Sequence, residues 1–139
     1  MIEVPLVLDE EFSDERYNCY HPTYGAKVFG CKMLADEVEN FEIFISKNNS
    51  LENILPLLNK YLQWLSDCRK MLVAYFAEVL QEKIPERWYE KIEVFRVSVV
   101  INGLDDYGAT ITFGESIYSD HMIELDLEKE EIVDNRLNG

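Results

Sequence analysis

LENILPLLNKYLQWLSDCRKMLVAYFAEVLQEK, residues 51–83, is the longest run of helical periodicity in the chain. Advancing about 100° per residue from Leu51 gathers Leu51, Ile54, Leu55, Leu58, Tyr61, Leu62, Leu65, Leu72, Phe76, Val79 and Leu80 on one broad face. Glu52, Asn59, Lys60, Gln63, Asp67, Lys70, Glu78 and Gln81 fall opposite. Unbroken, this helix would run roughly 50 Å at about 1.5 Å per residue. That is long for a domain of this size, so a bend or break is expected.

Arg69 marks where it would fall, because its phase lies inside the apolar stripe. Three solutions are open: a break near Ser66 and Asp67, both good N-cap types; a snorkelling arginine; or a buried arginine paired with a carboxylate. At the start, Ser50 is a fair N-cap, yet Pro56 would clash with the carbonyl of Glu52. The first turn is therefore distorted, or the regular helix begins nearer Pro56. Pro85 stops the pattern at the other end. Trp64, Cys68, Met71 and Tyr75 widen the apolar arc along one flank. Either loops or the N-terminal segment cover that flank, or Trp64, Met71 and Tyr75 form a dimer or partner interface, for which aromatic and Met side chains are suited.

Strand patterns lie on both sides. Residues 2–8 alternate Ile2, Val4, Leu6 and Leu8 against Glu3, Pro5 and Val7, with Pro5 implying an edge. YNCYHPTYG (17–25) reads as an aromatic loop, AKVFGCKM (26–33) as a strand with a bulge or close approach at Gly30, and 41–45 as another strand. After a helical turn near Trp88, residues 93–101 place Phe95, Val97, Val99 and Ile101 on one face, and Val94 and Val100 opposite suggest a central strand. Ala109, Ile111 and Phe113 face inward on a return strand, followed by His121, Ile123, Leu125 and Leu127 on the next. A last short strand is expected at Ile132-Val133. The fold class expected is α+β: a mainly antiparallel sheet of about six strands on one long central helix, with three strands before the helix and three or four after it.

With 139 residues the chain reads as one domain, long enough to bury about two-thirds of its unfolded surface. The opening MIEVPLVLDEEF has no basic region and does not read as a secretion signal, and no window approaches the roughly 20 apolar residues of a membrane span. Cys19, Cys31 and Cys68 are odd in number and scattered, so they read as reduced thiols of a cytoplasmic protein. The net charge of −14 is unevenly placed: residues 1–20 carry six acids and one base, and residues 115–139 eight acids and two bases. Such a surface repels nucleic acid and anionic membrane and steers basic partners, although acidity for solubility alone explains it too.

Reactive constellations are sparse. Cys19 and His21 could ligate zinc if His121 or Cys31 joined them, but no paired CxxC or HxxxH spacing is present, and aromatic packing around a buried Cys is the simpler reading. IYSDH (117–121) holds residue types used in acid–base work, yet Asp120 and His121 are strand neighbours pointing to opposite faces. His121 also shares phase with Ile123 and Leu125, as a half-buried histidine closing the sheet would. Glu124, Asp126, Glu128, Glu130, Glu131 and Asp134 lack the EF-hand pattern and read as a solvated strand face and turn. No phosphate-binding glycine loop or G-x-S-x-G elbow occurs, and neither a metal nor a cofactor is expected.

The last third, VSVVINGLDDYGATITF (97–113) through IYSDHMIELDL (117–127) to RLNG (136–139), resembles a family of uncharacterised bacterial domains. In these a loop ends in Gly or Asp followed by His, an apolar strand follows, and the domain closes near a Gly. The strand at 41–46, the long helix and Trp88 are similar too, so the resemblance spans roughly 26–139. It implies a domain type, with His121 as the residue carried over. Some small acidic bacterial domains of this style act as immunity proteins against toxins, an analogy of fold style. The leading expectation is a non-enzymatic binding domain for a basic protein. Tyr118, Asp120, His121, Glu124 and Asp126 are its candidate binding residues. The alternatives are a ligand-binding or enzymatic domain between the Tyr17–Tyr24 and Tyr118–His121 loops, and an oligomer subunit with a structural role.

Overall fold

Two helices replace the single long one. In the computed structural model, which describes residues 6–22, 26–33, 40–115, 117 and 122–138, α1 spans Leu51–Ser66 and α2 spans Arg69–Leu80. The break falls at Asp67–Cys68, where Asp67 is extended (φ −155°, ψ 90°) and Cys68 leads into α2 without a side-chain cap. Ser66 and Asp67 are not N-caps here: the Ser66 hydroxyl donates to Gln63 O at 2.6 Å, and the Asp67 carboxylate accepts from the Tyr89 hydroxyl at 2.9 Å. Arg69 is thereby freed from the apolar stripe. It is exposed, donates to Glu86 O at 2.9 Å and lies 5.5 Å from the Tyr89 ring centroid. The break also resets the helical phase, so only Leu72 and Phe76 of α2 are buried, while Val79 and Leu80 are exposed rather than inward.

At its start α1 keeps regular form from Leu51: the Ser50 hydroxyl accepts from Asn53 N at 3.2 Å. Pro56 sits inside the helix, and both it and Glu52, whose carbonyl loses its N–H partner, are exposed.

Among the described residues nine strands are seen where about six were expected. β1 (Leu6–Asp9), β2 (Tyr17–Pro22), β5 (Phe41–Ser46), β6 (Glu93–Gly103), β7 (Asp106–Gly114), β8 (Met122–Glu128) and β9 (Glu131–Asn138) form one sheet in the order β1-β2-β5-β6-β7-β8-β9. Every neighbouring pair is antiparallel except β5–β6, which is parallel and joined through both helices. Tyr17–Pro22 is therefore a strand, not a loop; Tyr24 lies outside the described residues. β1 holds one edge, as its pattern implied, and β6 is central.

Residues 26–33 are a hairpin rather than one strand: β3 (Lys27–Val28) and β4 (Cys31–Lys32) turn at Phe29 and Gly30. Both turn residues have positive φ, 53° and 75°, as a type I′ turn requires. A phenylalanine is unusual there, and its neighbours explain it. Phe29 N–H and Gly30 N–H donate to Leu65 O and Ser66 O at 2.9 and 2.8 Å, satisfying carbonyls that α1 leaves open at its C-terminus. Gly30 makes the close approach expected of it, since a Cβ would lie 2.8 Å from the Tyr89 ring.

One core joins these pieces. Phe41, Ile43, Ile45, Val97, Val99, Ile101, Ile111, Phe113 and Leu125 face Ile54, Leu58, Leu65, Leu72 and Phe76, with Trp88 closing the end against Phe76. Each fully buried Leu or Phe contributes about 1.5–3 kcal/mol of transfer free energy. Phe95 is excluded, contrary to simple alternation. Val94 pairs with Phe113 and Arg96 with Thr112, so Phe95 is the extra residue of a β-bulge and is 39% exposed.

Candidate functional site

The sheet has a helix-covered face and an opposite polar face, and the candidate site lies on β8 and β9, partly on the polar face and partly at the turn that joins them. On β8, Glu124 and Asp126 are two apart and share that face, as the sequence placed them. β9 supplies what the sequence did not disclose. Arg136 lies opposite Glu124 in the register, and a bulge at Val133 sets Asp134 opposite Asp126. Two carboxylates facing each other across strands repel. The Arg136 guanidinium resolves this by donating to Asp126 at 2.6 Å, to Asp134 at 2.7 Å, and to Glu124. Thr110 on β7 adds a donation to Asp126 at 3.0 Å. Arg136 holds the Asp126 carboxyl below its usual range, and Asp126 in turn raises the guanidinium.

Beyond the clamp, the β8–β9 turn forms a cleft of about 530 Å³ lined by Tyr107, Glu128, Lys129, Glu130 and Glu131. Its turn is fixed. Lys129 adopts φ 55°, its N–H donates to Tyr107 O at 3.0 Å, and its carbonyl accepts from the Tyr61 hydroxyl at 2.7 Å. Tyr61 packs edge-on to Tyr107 (4.9 Å between centroids) and stacks with Trp64 (5.8 Å). Three glutamates thus stand on a hairpin tied to α1.

Of the other candidate residues, Tyr118, Asp120 and His121 lie outside the described residues. Trp64, Met71 and Tyr75 are half-buried against the core. β9 reaches this flank through Asn135, whose amide donates to the Tyr75 hydroxyl. Trp64 and Met71 border a shallow cleft of about 460 Å³ with Asp67, Cys68, Arg69 and Lys70.

Cys19 and His21 do not converge on a metal. The Cys19 thiol is buried, and burial, with help from Glu42 and Asp9, pushes it up to about 11. His21 Nδ1 is 2.9 Å from Phe41 O and Nε2 is 2.7 Å from Asp9 Oδ2. Both partners are acceptors, so the imidazolium form satisfies the geometry. The hydrogen bond from His21 is the main reason the Asp9 carboxyl is lowered. Among the described residues, no group of three or more His, Cys, Asp or Glu side chains is arranged to hold a metal ion. Where Glu124, Asp126 and Asp134 converge, Arg136 supplies the cation.

Comparison with known proteins names no relative. No family model, no curated protein and no solved structure matches the chain. No helix among the described residues is long and apolar enough to cross a membrane.

Proposed function

We propose that this chain is a non-enzymatic binding domain that seats a basic protein partner on its acidic β8–β9 hairpin, in the manner of an immunity-type inhibitor acting in the cytoplasm. One observation carries this reading: the cleft walled by Tyr107, Glu128, Lys129, Glu130 and Glu131, three carboxylates to one ammonium, on a turn held by the Tyr61–Lys129 hydrogen bond. A lysine or arginine entering it meets carboxylates and an aromatic side chain together, the combination that holds a cation at an interface. Because the hairpin is already ordered, little freedom is lost on docking. The net charge of −14 adds long-range steering toward a basic surface and against nucleic acid.

The test is affinity capture on the intact chain and on a Glu128→Gln/Glu130→Gln/Glu131→Gln variant, each washed at low and high salt. A basic protein held stoichiometrically by the native chain, released by salt and absent from the variant, is the expected result. Retention of the same partner by the variant, or capture of an acidic one, would remove the hairpin from the interaction.

A further inference from the structure

The sheet changes sense once, between β5 and β6, and that is where a second site is found. Outside the carboxyl ends of these parallel strands lies a mainly polar cleft of about 350 Å³, lined by Glu15, Arg16, Tyr17, Ser46, Lys47, Asn48 and Asn102. In α/β sheets ligands bind outside the carboxyl ends of parallel strands, where neighbouring connections leave in different directions. Here β5 runs into α1 while β6 turns back into β7, opening a gap between the two exits. The volume is at the small end of the ligand-site range of about 300–1,000 Å³.

Its lining is unusual for so acidic a chain. Arg16 and Lys47 are brought together by the hydrogen bond from Lys47 N–H to Arg16 O at 2.8 Å, and both are exposed. Neither forms an ion pair among the described residues, whereas Arg96 and Arg136 do. The nearby Asp14 carboxylate accepts from Tyr17 N–H at 2.8 Å and Arg16 N–H at 2.7 Å, and these bonds, with smaller help from the Lys47 and Arg16 charges, hold it below its usual range. Asn102 is placed by a second β-bulge in β6: Ile101 pairs with Tyr107 and Gly103 with Asp106, which leaves Asn102 as the extra residue. Bulges of this kind re-aim a side chain and gather next to binding sites. Asn102 is pinned from both sides, its side chain by the Tyr17 hydroxyl and its carbonyl by Asn49 Nδ2 at 2.8 Å. The result is a hydrogen-bonded polar wall lining the same cleft as the two cations.

We infer that this cleft binds a compact oxyanion, the phosphate of a small phosphorylated molecule or phosphate itself, between Arg16 and Lys47 with Asn48 and Asn102 as neutral polar contacts. Arg16 offers a planar fork matched to phosphate oxygens, and Lys47 a point charge. The site is separate from the acidic hairpin and does not depend on the partner-binding reading.

The experiment is a titration of the isotopically labelled full chain with sodium phosphate, with glycerol phosphate, and with sodium chloride at matched ionic strength, followed residue by residue through amide shifts. Saturable shifts confined to Arg16, Tyr17, Lys47, Asn48 and Asn102 are expected with phosphate or its ester and absent with chloride. Tighter binding of the ester identifies a phosphorylated molecule, and equal binding identifies free phosphate. Arg16→Gln/Lys47→Gln should weaken the affinity at least tenfold while the melting temperature stays unchanged, and Glu128→Gln/Glu130→Gln/Glu131→Gln should leave it intact. Shifts that never saturate, match chloride, or persist in the Arg16/Lys47 variant would overturn the assignment.

Discussion

Gly30 has two reasons to be glycine, a φ of 75° and the Tyr89 ring 2.8 Å from where a Cβ would stand. Gly30→Ala is therefore expected to destabilise the fold by about 1–3 kcal/mol, read from denaturant unfolding. Tyr89→Phe, which keeps the ring and loses the bond to Asp67, should cost only about 1 kcal/mol. Arg136→Ala tests the clamp. Its loss leaves Glu124, Asp126 and Asp134 facing one another, so the variant should unfold more easily at neutral pH. The Asp126 carboxyl is lowered from 3.8 in the fold, so the stability it contributes is present above that value and lost as pH falls through the folded value. The gap between native and Arg136→Ala unfolding curves should accordingly close in acid, and a gap constant down to acid pH would remove the electrostatic explanation. The alkaline side has the opposite sign. Burial raises the Cys68 thiol from 9.0 to about 12, so its contribution is complete below pH 9.0 and is lost as pH rises toward that folded value. A chemical-denaturation series across this range should show falling stability, less steep in Cys68→Ala.

Among elements, the parts legible in the sequence are those whose alternation nothing interrupts. Ala109, Ile111 and Phe113 on β7, with Ile123, Leu125 and Leu127 on β8, face inward as their period required. β6 misleads because a bulge adds one residue without marking the hydrophobic pattern, sending Phe95 outward to lie over Gly114. The helix break was legible through Arg69, a charge in the wrong phase, but its cause was not. It depends on the Phe29–Gly30 turn and Tyr89, which come from either side of the helices in the chain. The candidate site divides in the same way. Glu124 and Asp126 share a face by strand period alone, whereas Arg136 joins them only through a register shifted by the bulge at Val133. The 350 Å³ cleft collects Arg16, Lys47 and Asn102 from three distant segments, and no spacing could announce it. An element-scale prediction follows from the hairpin cap on α1. Phe29→Ala removes a fully buried ring packed edge-on to Phe113, and should cost about 3–5 kcal/mol.

At the scale of the molecule, a charge of −14 opposes compaction, and the mutual repulsion is weakened by salt. Raising sodium chloride from low concentration toward about 0.15 M, where charges interact over roughly 8 Å, should raise the melting temperature. A fall would mean that attractive pairs such as His21–Asp9 and Arg96–Glu42 outweigh the repulsion. The parallel seam between β5 and β6 has a different kind of consequence, one of timing. Strands β6 and β7, and likewise β8 and β9, meet through tight turns between residues close in the chain. β5 finds β6 only across the whole length of both helices, a loop closure that local contacts cannot shorten. Refolding should thus begin on the C-terminal side of the seam, with amides of β6 and β7 protected from hydrogen exchange before those of β5. Until β5 docks, its carboxyl end does not meet that of β6, so the cleft between them should form only after the C-terminal hairpins.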